Sequence, residues 1–242
     1  MTGPATWPPM IRSALILLMT LMPLAAMAGP WPREAGRSFL SLSTERDVEG
    51  NRYTGLYGEY GLAATTLGLE LGRSGAGELS AVVWAQRSLD DGTGPHRLSL
   101  SAGAGVIRRQ DRVLPVVQGT LAWGRGFEGW AGGGWMTAQL TARAAGGPDL
   151  PEDRRGTAAA RAFRIAETTL KADLTLGLRP TERLRVVNSL WLEDRRDAEL
   201  TAKLASSLVF PITGPAHLEV GLVQPLRGPA ERAVRLGVWL DF

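Results

Sequence analysis

The chain has 242 residues, 27 Lys and Arg against 24 Asp and Glu, and no cysteine. That near-balance of charge argues against a nucleic-acid partner, and the missing thiols exclude a disulfide framework, a thiolate metal site and an acylated-cysteine lipid anchor. The pI of 9.8 reflects a small arginine excess on a nearly neutral chain, in which Lys171 and Lys203 are the only lysines.

Met1 to Ala28 reads as an export signal. Arg12 is its only charge, Ile11 to Leu24 is apolar, and Ala26-Met27-Ala28 supplies a small-x-small cleavage pattern. Its apolar core is shorter than the roughly 20 residues of a spanning helix, and Pro23 interrupts its end. Cleavage there starts the mature chain near Gly29 and leaves one domain, 29–242. No later stretch is apolar enough for a helical span, so a membranous chain must be a barrel.

From Ser38 onward, segments of about ten residues alternate apolar and polar side chains and end at Gly, Pro, Asp or Arg. Side chains two apart share a strand face. The clear ladders are Ser38, Leu40, Leu42, Thr44; Leu67, Leu69, Leu71; Leu79, Ala81, Val83, Ala85; and Leu98, Leu100, Ala102, Ala104, Val106. Then come Leu170 to Leu178, Leu184 to Leu192, Leu200 to Leu208, Leu218 to Leu222, and the terminal set Val234, Leu236, Val238, Leu240, Phe242. Gly-rich segments near 52–61, 114–125 and 128–142 complete a predicted count of twelve. The fold class expected is all-β: a single antiparallel up-and-down transmembrane β-barrel of 12 strands.

An even count returns both termini to one side, the periplasmic one, where turns should be short. Gly61 to Thr65, Arg125 to Glu128, Arg179 to Thr181 and Pro211 to Pro215 are tight, and the longest loop, Ala145 to Thr157, falls outside. Leu89 to Pro95 departs from the rule, being long for its side. Tyr60, Trp123, Trp130, Phe210 and Phe242 fall at periplasmic strand ends in the outward phase, as an interfacial girdle requires. Ala158 to Ala166 changes phase and reads as a bulge, a strand extension or a short helix. Asn188 is the one polar group on its strand's outward ladder, and a charge there at mid-bilayer would cost about 2–4 kcal/mol.

No catalytic constellation emerges. The two histidines, His96 and His217, sit near periplasmic strand ends, and no H-E-x-x-H, G-x-S-x-G or calcium loop is present. No catalytic, cofactor-binding or metal-binding residue is expected. Arg108-Arg109, Arg154-Arg155 and Arg195-Arg196 could hold lipopolysaccharide phosphates, but interleaved acids make solvated mixed loops the preferred account. The inward phase carries Glu59, Glu70, Arg97, Lys171, Asp173, Arg183, Arg185, Glu193, Lys203, Glu219 and Arg235 as candidate lumen-lining groups, with Gln118, Gln139 and Asp241 beside them.

The terminal run Arg235, Gly237, Leu240 and Phe242 resembles the assembly signal of outer-membrane β-barrels: a polar residue, a Gly two on, then hydrophobic or aromatic residues ending the chain. Glu59 to Leu71 and Thr175 to Val187 both pass through Gly-Leu into a tight turn, Pro211 to Val220 more loosely. They look like the periplasmic turns of small proteobacterial outer-membrane barrels of largely uncharacterised function. The resemblance implies a fold and a location in the cell outer membrane after export, with lipid, lipopolysaccharide and the barrel-assembly machinery as partners. A monomer without cofactor is expected. It transfers no substrate. The inward charges leave two alternatives: a narrow channel for passive passage of small solutes, or a closed structural or surface-interaction barrel whose lumen pairs serve stability.

Overall fold

The computed structural model describes residues 29–146, 167–196, 198–229 and 232–242. Twelve antiparallel strands follow one another around a closed ring: β1 (Ser38–Asp47), β2 (Arg52–Leu62), β3 (Thr65–Ser74), β4 (Leu79–Ser88), β5 (His96–Arg109) and β6 (Arg112–Phe127), then β7 (Gly134–Ala145), β8 (Glu167–Thr181), β9 (Leu184–Arg195), β10 (Thr201–Thr213), β11 (Ala216–Arg227) and β12 (Ala233–Asp241). Each pairs only with its sequence neighbours, and β1 with β12 closes the ring, as predicted for an up-and-down barrel. Closure satisfies the edge groups that an open sheet would leave bare. It extends to the last residue, because Ser38 and Phe242 exchange backbone hydrogen bonds of 2.6 and 3.0 Å.

Alternation decides the faces. Leu42, Val83, Leu100, Leu140, Leu170, Leu174, Leu222 and Leu236 are all exposed on the outside, one continuous apolar belt of the kind a soluble monomer does not present. A closed antiparallel barrel with a greasy outer wall and charges inside is a membrane-spanning β-barrel. On the outer wall, Asn188 is not left bare: the Ser206 hydroxyl donates to its side-chain oxygen at 2.8 Å. Tyr60, Trp130 and Phe242 are exposed at the end that holds both termini.

The inner face carries large rings that alternation alone did not assign. Trp84 lies between Gly68 and Gly103, its register partners on β3 and β5. A Cβ on Gly68 would fall 2.0 Å from the Trp84 ring, and one on Gly177 would meet Trp135, its partner on β7, at the same distance. An indole laid over a cross-strand glycine covers the backbone there and pins the register.

One sequence expectation changes at the terminal end, where Arg125 to Phe127 extends β6 instead of turning, and one departure gains an account. The segment from 128 to 133 is turn rather than strand. Gly129, Gly132 and Gly133 have positive φ and Trp130–Gly132 forms one 3-10 turn, so Trp130 sits in the turn itself. The long connection after Ser88 closes on itself: Asp90 accepts from the backbone of Gly92 (2.9 Å) and Leu98 (2.6 Å), and Asp91 from Thr93 (3.0 Å). Those Thr93 bonds hold the Asp91 carboxyl below its ordinary pKa. Beyond Ala145 and Gly146 the longest loop of the opposite end, like all of Ala158 to Ala166, lies within 147–166, outside the described residues.

Candidate functional site: a charged lumen and the segment that crosses it

Inward alternation brings polar groups from nearly every strand around a cavity of about 690 Å³. Six of the sequence-predicted residues line it: Glu70, Lys171, Asp173, Glu193, Lys203 and Arg235, together with Gln118 and Gln139. Arg235 is the hub. Its guanidinium donates to Glu45 (2.5 Å) and Glu219 (2.9 Å) and lies over the Trp191 ring, while the Trp239 indole donates to Glu219 at 2.9 Å. Lys171 pairs with Glu193 at 2.7 Å, and Glu193 also takes Arg195. Arg143 donates twice to Gln118 and reaches from β7 over to Glu70 on β3 at 3.3 Å.

Asp173 and Lys203 differ from these. Neither makes an ion pair or hydrogen bond among the described residues, and register places them on either side of Trp191. One row therefore holds a carboxylate, an indole and an ammonium.

Three other candidates lie away from the cavity lining. The Arg97 guanidinium bonds the carbonyls of Gly92 and Gly94 at 2.7 and 2.5 Å, so it fastens the 89–95 turn. Arg183 is exposed in the β8–β9 turn, where its amide donates to Thr181. Arg185 sits 3.4 Å from the His217 ring at the terminal end. His96 accepts from the Trp123 indole at 3.1 Å. At the opposite rim Arg109, considered above as a phosphate ligand, is engaged by Glu78 and by both oxygens of Glu167 (2.8 and 2.7 Å). Arg154 and Arg155 lie outside the described residues. Among the described residues no three His, Asp or Glu gather as metal ligands.

Glu59 belongs to something the ladders did not reveal. Gly29 to Arg37 runs across the terminal mouth, with Gly29, Pro30 and Arg33 buried and Glu34 to Arg37 exposed. Arg33, with its side chain 2% exposed, donates two hydrogen bonds to the equally buried Glu59, stands 5.2 Å over Phe39 and lies 3.7 Å from Asp241. Its amide donates to Thr66 at 2.9 Å, and Tyr57 donates to the other oxygen of Glu59. Gln86 donates to the Gly29 carbonyl at 3.0 Å. Gly61 is the close-approach position, since a Cβ there would stand 1.9 Å from the Glu34 carbonyl oxygen. The signals in sequence were slight: a lone basic residue between Pro32 and Glu34, and glycines on inward phases near strand ends.

No protein-family model and no curated protein sequence matches the chain. Solved structures do match in fold. The NanC porin aligns with TM-score 0.57 at 12% identity, covering 84% of this chain and 100% of that one. An outer-membrane channel from Pseudomonas putida F1 aligns with TM-score 0.57 at 12% identity, over 90% of this chain and 99% of its own. The KdgM porin gives 0.53 at 12% identity, over 84% and 99%. At such identities the likeness establishes the shared barrel fold.

Proposed function

We propose that the chain is an outer-membrane channel for passive passage of small solutes, exported through a cleaved signal in 1–28 and working as a monomer without a cofactor. The observation that carries this reading is the wet, charge-lined cavity enclosed by a wall whose outer face is apolar. The fold neighbours described as porins and channels support it, one of them solved in complex with disordered oligogalacturonate. Carboxylates and cations line the cavity in equal number, so it favours small neutral or zwitterionic solutes over highly charged ones. In a low-dielectric tube, an excess of one sign would repel that sign strongly. Within that lining, Lys203 and Asp173, on either side of Trp191, are among the charged groups left to meet a solute.

Planar-bilayer recording of the refolded protein tests this. The expected result is stable, salt-dependent steps with a cation-to-anion permeability ratio near unity, moved toward cations by Lys203→Glu. A folded barrel that never conducts overturns the reading. Of the terminal signal residues, Arg235 and Gly237 already have internal roles, the latter lying under Glu219. Leu240 and Phe242, outward on the last strand, are therefore the pair offered to the assembly machinery. Deleting Phe242 should lower the amount of barrel assembled in cells while leaving refolding in detergent intact.

A further inference from the structure

We infer that Gly29 to Arg37 is a built-in constriction, a strap latched by Arg33 across the terminal mouth that sets the largest solute able to pass. The inference rests on the channel reading. Pro30 and Pro32 flank Trp31, and proline offers no amide to a ladder, so this stretch does not become a thirteenth strand. It crosses instead. At one end Arg37 leads into β1, and Gly36 donates to the Gly61 carbonyl at 2.9 Å. At the other, a Cβ on Gly29 would stand 3.4 Å from Thr137 on β7. In a ring of twelve strands, β1 and β7 face each other across the full diameter. Strands about 4.8 Å apart and tilted about 40° close a ring roughly 24 Å across. About nine extended residues reach up to roughly 30 Å, enough to bridge it.

The wall is shaped to receive this segment. On β6, a Cβ at Gly124 would lie 2.5 Å from Pro30 and 2.6 Å from the Trp31 ring. On β2, Gly61 makes room for Glu34, and Glu59 supplies the only hydrogen-bonded carboxylate for Arg33 among the described residues. Between them, Thr66 of β3 and Gln86 of β4 bond the strap's backbone. Contacts thus come from β2, β3, β4, β6 and β7. Gly29 also lines the central cavity, which makes the strap the floor of the chamber where Asp173 and Lys203 stand. A solute leaving that chamber toward the terminal mouth passes beside the strap or displaces it. Displacement requires Arg33 to leave Glu59.

The experiment compares single-channel conductance of the full protein with three variants, folding of each being verified by heat-modified gel migration. The variants are a deletion of residues 30–36, Glu59→Gln, and the double substitution Gly29→Cys with Thr137→Cys. The native chain has no cysteine, so the engineered pair alone fixes the strap when oxidised. The deletion should raise conductance roughly twofold or more, because flow follows the narrowest open section. Glu59→Gln should add intermittent openings to that higher level, and the oxidised pair should hold the low level until reduced. If the folded wild type is silent and the deletion conducts, the channel reading fails and the constriction with it, the segment then being the plug of a closed barrel. Equal, nonzero conductance in wild type and deletion overturns the strap and leaves the channel standing. Silence in both, with folded barrels, overturns the channel reading and the strap with it.

Discussion

Two arginine–glutamate pairs of the same chemistry stand at opposite ends of this barrel. Arg33 and Glu59 have side chains 2% exposed, with Thr66 and Phe39 closing around them. Arg109 and Glu78 are 35% and 40% exposed at the far rim. In the dry end, an ion that loses its partner has no water to replace it, so loss of either partner is severe. At the rim, water and salt take over at once, and the pair contributes little. Contact distance alone would have ranked the two pairs as equals.

The largest effect expected follows from that contrast. Glu59→Ala should destabilise the folded barrel by about 3–5 kcal/mol, read as a shift in the urea midpoint in lipid or detergent, because it strands the Arg33 guanidinium. Replacing both partners with apolar residues of similar volume, Arg33→Met with Glu59→Leu, should recover most of the loss. A double variant no better than Glu59→Ala would mean that the carboxylate holds the mouth through Tyr57 instead.

A packing change at the same dry end comes next. Gly68→Ala places a methyl where the Trp84 ring already lies, 2.0 Å from its atoms. Overpacking of that kind costs about 1–3 kcal/mol. Gly119, exposed on the outer wall with nothing nearer than a carbonyl at 3.9 Å, is the control, and Gly119→Ala should leave the urea midpoint close to wild type. Equal loss at both positions would point to backbone effects and away from the indole.

Much of this was legible in the sequence, for a physical reason. A period of two survives in each strand because one face meets lipid and the other the lumen, so Leu170 to Leu178 or Val234 to Phe242 declare themselves without any partner. Six of the eleven inward charges predicted from phase alone line the cavity. The strap was not legible, because Gly29 to Arg37 has no period and its partners lie at Glu59, Gln86, Gly124 and Thr137. The inward indoles were missed similarly, since Gly68 beneath Trp84 and Gly177 beneath Trp135 become pairs only once register is known. Arg97 and Arg183 had the right phase but sit at strand ends, where phase no longer decides what a long side chain touches.

The smallest effect completes the comparison at the wet end. Glu78→Ala removes one of the two acids around Arg109, but Glu167 keeps both its hydrogen bonds to the same guanidinium. A half-exposed pair with a second acid in place should change stability by about 0–1 kcal/mol, and less as salt rises. Measured at low and at high ionic strength, the Glu78→Ala shift should shrink toward zero, whereas the Glu59→Ala shift should stay nearly constant, since few ions reach a site so dry. A rim shift as large and as salt-insensitive as the one at the mouth would mean that Arg109 and Glu78 are as shielded from water as Arg33 and Glu59.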